Sequence, residues 1–405
     1  MHPQAATLWR GPRWTLALLL AGLSSLGPFA IDTYLPGFAG IGRDLSASAV
    51  QMQQTLSSYL FGFAIMNLFH GALSDSLGRR PVVLAAMAVF TMASVGCALS
   101  PSIGWLLFWR AVQGLSAGGG MVVGRAVIRD LFAPAQAQRV MSQVTIFFGV
   151  APAVAPLLGG LLFVHLGWHA IFWFLALVGG VLFSVMWWRL PESLHESQRQ
   201  PMHLAHLMRG YWQMGASARF LALALASSLP FNGMFVYVLS APVWLGEVLR
   251  LAPTDFFWFF VLSVSGIMSG AWLSGRLAGR IRPASQIWLG FLIMLGISAL
   301  NLSLSALLEP NPAWALWPVG VFSFGWSVMT PSVTLLLLDL VPERRGMASS
   351  VQSFVSAMVN GVVAGVVAPW VMHSSLQLAA ASIGLMLTGL LAWAWVQPHL
   401  AHAPG

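Results

Sequence analysis

The chain has 405 residues, of which 58% are hydrophobic and only 7% charged, with 19 basic and 11 acidic side chains and a formal charge of +8. A soluble protein carries about 25% charged residues, so a water-soluble enzyme is excluded, and disorder, which needs low hydrophobicity, goes with it. All 19 basic residues are arginine, which removes P-loop nucleotide binding and Schiff-base chemistry, since both need a lysine.

Crossing a hydrocarbon core of about 30 Å takes about 20 helical residues. Apolar runs of that length fall at roughly 14–38, 50–71, 82–100, 102–125, 139–164, 168–190, 218–241, 253–275, 284–308, 311–335, 346–371 and 374–396. The predicted fold is therefore an all-α membrane protein of twelve transmembrane helices. The runs are too long and too evenly apolar for barrel strands. Arg10 and Arg13 precede the first run as in a secretory signal, but the eleven runs that follow point to an uncleaved anchor. Cys97 is the single cysteine, so no intrachain disulfide can form.

Arginine placement orients the chain. With the N-terminus inside, 16 arginines fall in cytoplasmic loops or at the inner edge, Arg43 and Arg250 fall outside, and Arg110 lies within a span. Both termini are then cytoplasmic, and the positive charge serves membrane orientation rather than nucleic-acid binding. The longest polar stretch, 191–217, divides the spans six and six into halves 1–190 and 218–405, and reads as a solvated cytoplasmic linker carrying Glu192, Glu196, Arg199 and Arg209. Leu73-Ser74-Asp75-Ser76-Leu77-Gly78-Arg79-Arg80 and Leu273-Ser274-Gly275-Arg276-Leu277-Ala278-Gly279-Arg280 occupy matching loops about 200 residues apart. Such duplication predicts two pseudo-symmetric halves with a substrate site near the midplane.

Charges in the membrane interior are costly and so mark function. Asp32 in the first span and Arg110 in the fourth fall at similar depth, on the order of 9–12 Å below the outer surface at 1.5 Å per residue. They could form a static bridge pinning the two helices. A buried pair adds little stability, which favours a working site. A carboxylate holds its proton loosely beside a guanidinium and tightly when desolvated without one. A movement that changes the separation would make Asp32 exchange a proton, with Gln113 as a polar neighbour and Pro36 loosening the helix. Tyr34, Tyr59, Asn67, Gln143, Asn232, Tyr237, Gln352 and Asn360 could line a cavity or bond helix to helix, and Phe147 is counted with the cavity residues. Abundant aromatic residues and 19 methionines suit an adaptable pocket for apolar molecules. Trp105, Trp168 and Trp314 read as outer interface anchors. Gly114…Gly118, Gly120…Gly124, Gly266…Gly270 and Gly361…Gly365 mark close helix approach. The elbow-like Gly114-Leu115-Ser116-Ala117-Gly118 has no strand before it, and His70 and His169 fall at the ends of their spans, at the membrane surfaces; His165…His169 is broken by Gly167, and neither enzyme chemistry, cofactor nor metal site is expected.

These residues resemble the major facilitator superfamily over essentially the whole chain. Gly71-Ala72-Leu73-Ser74-Asp75-Ser76-Leu77-Gly78-Arg79-Arg80 is similar to its signature loop, and Arg110-Ala111-Val112-Gln113-Gly114 to its fourth-helix motif. Asp32-Thr33-Tyr34-Leu35-Pro36 resembles the first-helix signature of the bicyclomycin/chloramphenicol-resistance (Bcr/CflA) subfamily of drug/proton antiporters. Pro152 with Ala155-Pro156-Leu157-Leu158-Gly159-Gly160 resembles the exporter motif of the fifth helix. The resemblance implies a monomeric inner-membrane antiporter that expels small, mostly apolar or amphiphilic molecules against protons; a proton-coupled metabolite importer is the alternative. It implies that Arg110 serves proton coupling, that Gly71, Asp75, Gly78, Arg79 and Arg80 latch an inner gate with Asp75 sensing the helix end near Met347, and that Pro152, Pro156, Gly159 and Gly160 let the fifth helix bend and pack. Ser76 stands where the family commonly has a basic residue, and Ala155 where it has glycine.

Overall fold

The computed structural model describes residues 13–132, 151–199, 204–341 and 345–400. Every regular element among them is helical. Among the described residues eleven helices are long and apolar enough to cross a membrane, and a shorter apolar helix spans Ala151–Leu166. This shorter helix is the C-terminal part of the predicted fifth span, whose residues 139–150 lie outside the described residues.

The chain divides into two compact units, Met1–Leu204 and Ala205–Gly405. In the first unit, α1 (Arg13–Asp32) stops within the predicted first span. A turn and the 3-10 segment Leu35–Gly37 follow, then α2 (Phe38–Asp44). Pro36 causes the break, because it has no N–H to bond the Asp32 carbonyl. The ladder tightens around it: the Tyr34 N–H donates to the Ile31 carbonyl at 3.1 Å and the Gly37 N–H to the Tyr34 carbonyl at 3.1 Å. The remaining helices are α3 (Ala49–Leu77), α4 (Arg79–Ala98), α5 (Ile103–Leu131), α6 (Ala151–Leu166) and α7 (His169–Arg189). Ser48 and Gln51 cap α3 reciprocally, each side chain accepting from the other's backbone N–H.

In the second unit, α8 (Leu204–Gly215) precedes α9 (Ala218–Val243), α10 (Phe257–Leu277), α11 (Pro283–Leu307), α12 (Trp317–Asp339), α13 (Arg345–Val362) and α14 (Ser375–Leu400). π-helical turns extend α9 through Trp244–Val248 and α13 through Val363–Val367. The same packing recurs in both units: α3 on α5, α4 on α5 and α4 on α7 in the first; α10 on α12, α11 on α12 and α11 on α14 in the second. The 200-residue echo of the sequence is thus an echo of helix neighbours. Within the linker expected to be solvated, α8 is amphipathic, with Tyr211 half-buried and Met214 buried while Arg209 and Trp212 are exposed.

Small residues set the seams. A Cβ on Gly114 would lie 2.0 Å from the Tyr59 carbonyl oxygen, and one on Gly266 would lie 2.0 Å from that of Gly320. Gly118, Gly120 and Gly270 are similarly closed, whereas Gly124 has ordinary contacts only. Without a hydrophobic drive between helices in lipid, such backbone contact is what holds them together.

Candidate functional site

Arg110 on α5 is fully buried. Its Nη1 donates to Gln113 Oε1 at 2.5 Å and to the Ala30 carbonyl at 3.4 Å. That carbonyl is available because the Tyr34 N–H, its ordinary partner one turn on, bonds Ile31 instead. The helix break therefore creates an acceptor for the buried cation. Gln113 Nε2 in turn donates to Ser94 Oγ on α4 at 2.8 Å. The guanidinium lies 4.8 Å from the Tyr34 ring centre and 4.3 Å from that of Tyr59, and the two aromatic faces supply negative potential to a fully buried charge. Both hydroxyls are occupied: Tyr34 shares a hydrogen bond with Thr55 at 2.7 Å, and Tyr59 donates to the Gly27 carbonyl at 2.8 Å.

Asp32 is the last residue of α1, two residues beyond Ala30, and is 6% exposed. Among the described residues no ion pair joins it to Arg110. The pairing that equal depth makes feasible is not formed in this conformation, in which Arg110 Nη1 bonds Gln113 and Ala30 instead. Among the described residues Arg110 Nε and Nη2 are buried with no acceptor, so the cation keeps donors in reserve.

The break is braced from α6. A Cβ on Gly159 would fall 2.0 Å from the Thr33 carbonyl oxygen, and Ala155 is fully buried. Alanine in place of the family's usual glycine at 155 thus leaves the close contact to Gly159. Pro152 is half-buried on the same helix; Pro156 and Gly160 are buried. Beyond the break, Trp168 is only 3% exposed and its Nε1 donates to Asp44 Oδ2 at 2.8 Å. That corrects the interface-anchor reading for Trp168: it ties the end of α2 to the start of α7, whereas Trp105 is exposed.

The loop Gly71–Arg80 forms a second polar centre. Arg79 pairs through Nη1 with Asp75, donates from Nη1 to Ser74 Oγ at 2.7 Å, and pairs through Nε with Asp130 Oδ2 at 3.0 Å. Ser193 Oγ donates to the same Asp130 oxygen at 3.0 Å. Gly78 has φ +104°, a region that only glycine enters freely. Ser76 Oγ donates to the Leu73 carbonyl at 3.1 Å, and Gly71 has ordinary contacts only. The repeated loop differs: Ser274, the counterpart of Ser74, accepts from the neutral Gln286 at 2.6 Å, and Arg276 stands over the Trp272 ring at 4.2 Å.

Of the remaining predicted pocket residues, Asn232, Asn360 and Tyr237 take interhelical bonds. Asn232 donates to Asn360 Oδ1 at 2.7 Å, with Ser228 and Ser356 in contact one turn away at 2.6 Å. Tyr237 accepts from Asn301 at 2.8 Å. Asn67 is buried, and its Oδ1 has no partner among the described residues. Gln143 and Phe147 lie outside the described residues. Sequence reading missed Thr55, Ser94, Asp130 and Asn301, and took Glu192 for a solvated linker residue. Asp130 carried a signal, an acid beside Arg125 and Arg129 at a span's inner end. The others are small polar residues whose partners lie on distant helices.

The family model of the Major Facilitator Superfamily matches residues 17–364. The bicyclomycin resistance protein homolog of Haemophilus influenzae is 29% identical over 362 residues, 88% of this chain and 90% of the relative. Multidrug resistance protein D of Escherichia coli is 28% identical over 398 residues, 96% of this chain and 97% of the relative. Among solved structures, a D-xylose–proton symporter covers 95% of this chain and 98% of its own with a TM-score of 0.73 at 15% identity, a likeness of fold alone. With duplicated helical packing, the signature loop and a family match over most of its length, the chain belongs to the major facilitator superfamily, as a multi-pass inner-membrane transporter akin to the bicyclomycin-resistance group.

Proposed function

We propose that the chain is a proton-driven efflux antiporter for small, mostly apolar or amphiphilic molecules, working as a monomer by alternating access of its six-helix halves 1–190 and 218–405. Both termini and the linker 191–217 are cytoplasmic, and neither cofactor, metal nor nucleic acid takes part. The observation that carries this reading is a buried acid at a helix break, two residues beyond the Ala30 carbonyl that accepts from a buried cation whose other two nitrogens have no acceptor among the described residues. Asp32 is the protonation site. Arg110 receives its carboxylate when the break straightens or shifts, and Gln113 holds Arg110 in the meantime. Because a desolvated carboxylate without a cation favours the protonated form and one beside a guanidinium favours the ionised form, each exchange of partners moves one proton. Gly71, Asp75, Gly78, Arg79 and Arg80 latch the inner gate. Pro152, Pro156, Gly159 and Gly160 allow α6 to move against the break.

Names of relatives carrying bicyclomycin and multidrug resistance support the cargo class. A susceptibility panel in an efflux-deficient host identifies a substrate, and everted vesicles then measure its gradient-driven flux. Asp32→Asn is expected to lose at least tenfold in that flux and its sensitivity to uncoupler. Undiminished gradient-driven export by the variant, or flux in the opposite direction, refutes the assignment.

A further inference from the structure

The first turn of any α-helix leaves backbone N–H groups without partners, and α4 begins at Arg79 with no cap from Gly78, which has no side chain to offer. The missing acceptor comes from 113 residues away. Glu192, three residues beyond the end of α7, places Oε1 2.9 Å from the Arg79 N–H and Oε2 3.2 Å from the Arg80 N–H. Its Oε1 also accepts the Leu194 N–H at 3.0 Å, which folds the linker back on itself. A carboxylate on a helix N-terminus is favoured by both the charge-assisted bonds and the helix dipole. Gly78 makes room for it: a Cβ there would lie 2.5 Å from Glu192 Oε2.

The neighbours of this contact join the same structure. Arg80 Nη2 donates to the Trp187 carbonyl at 2.6 Å, at the end of α7. Ser193, next to Glu192, donates to Asp130 on α5, which also holds Arg79. Residues 187–194 therefore touch the α3–α4 turn through backbone and side chain and α5 through Asp130.

We propose that Glu192 is a positioning residue of the inner loop: it caps α4 in trans and strands the first linker residues across the α3–α4 turn, so that Arg79 reaches Asp75 and Asp130 together. The linker leaves the first unit through this clasp. As a part of the gate the clasp rests on the proposed role of the Gly71–Arg80 loop, but its existence is read without transport. Hydrogen–deuterium exchange on the full chain in lipid nanodiscs provides the test, with Glu196→Ala, at an 86% exposed side chain in the same linker, as the control.

Glu192→Ala is expected to speed exchange at least tenfold in peptides covering both 78–82 and 128–132, while Glu196→Ala matches the parent. Glu192→Gln, which keeps one acceptor oxygen, restores part of the protection at 78–82. Unchanged protection at 78–82 in Glu192→Ala overturns the proposal. So does loss confined to 78–82 with 128–132 still protected, since the clasp would then not reach the Asp130 network. Failure of the gate reading shows separately, as Asp75→Asn leaving gradient-driven flux intact while the Glu192→Ala exchange pattern stands.

Discussion

Gly114→Ala tests whether backbone contact between α3 and α5 sets the geometry around Arg110. The added methyl would sit 2.0 Å from the Tyr59 carbonyl oxygen and 3.0 Å from its Cα, against the 3.4 Å or more of ordinary packing. The obstacle is backbone on a neighbouring helix, so α3 has to retreat by about 1.4 Å, the difference between those contacts. Overpacking of this kind costs about 1–3 kcal/mol, against which helix propensity returns about 1 kcal/mol for replacing glycine by alanine. Tyr59 retreats with its helix, stretching its 4.3 Å contact to the Arg110 guanidinium and weakening an interaction worth about 2 kcal/mol when desolvated. The expected net loss is about 2 kcal/mol. Gly296→Ala and Gly384→Ala, mid-helix sites where an added Cβ meets nothing within 4 Å, are expected to be neutral or stabilised. Thermal unfolding of the purified protein in one detergent, followed by monodispersity, ranks the three. A Gly114→Ala protein as stable as the Gly296→Ala protein would refute the close approach on which the site geometry depends.

Gln113→Leu removes the acceptor of Arg110 Nη1 and the bridge to Ser94; a buried charge-assisted bond of this kind carries about 1.5–3 kcal/mol, so a lower melting temperature is expected, and an unchanged one would mean Arg110 finds another acceptor at no cost. Trp168→Phe keeps an aromatic ring against His169 but loses the bond to Asp44, and is expected to destabilise by about 1 kcal/mol, read in the same melt; enhanced cysteine labelling at Leu45→Cys, in a chain whose native Cys97 is buried, locates the loosening at the end of α2.

Much of the fold was legible because lipid imposes a simple rule. A segment crossing hydrocarbon must satisfy its own backbone and hide few charges, so length and hydropathy alone mark the spans, and the eleven observed spans follow the predicted ones to within a few residues at most ends. Pro36 likewise announced a weak point in the first helix, since a residue without an N–H cannot complete the ladder. Asp32 and Arg110 stood out for the same reason: so few charges lie in apolar runs that each is conspicuous.

Partnership was another matter. Sequence set Asp32 and Arg110 at one depth, but it could not show that Arg110 turns to Gln113 and Ala30, because the Ala30 carbonyl becomes an acceptor only once the helix is broken. Nor could it find Glu192 on the N-terminus of α4, a contact between residues more than a hundred positions apart. Trp168 was misread because indole suits both an interface and a core, and only the position of Asp44 decides between them. The sequence by itself determined which segments enter the membrane and which charges they carry, since these depend on local composition. Which donor meets which acceptor was decided by tertiary structure, because hydrogen bonds depend on distances of a few ångströms that only the packed helices establish.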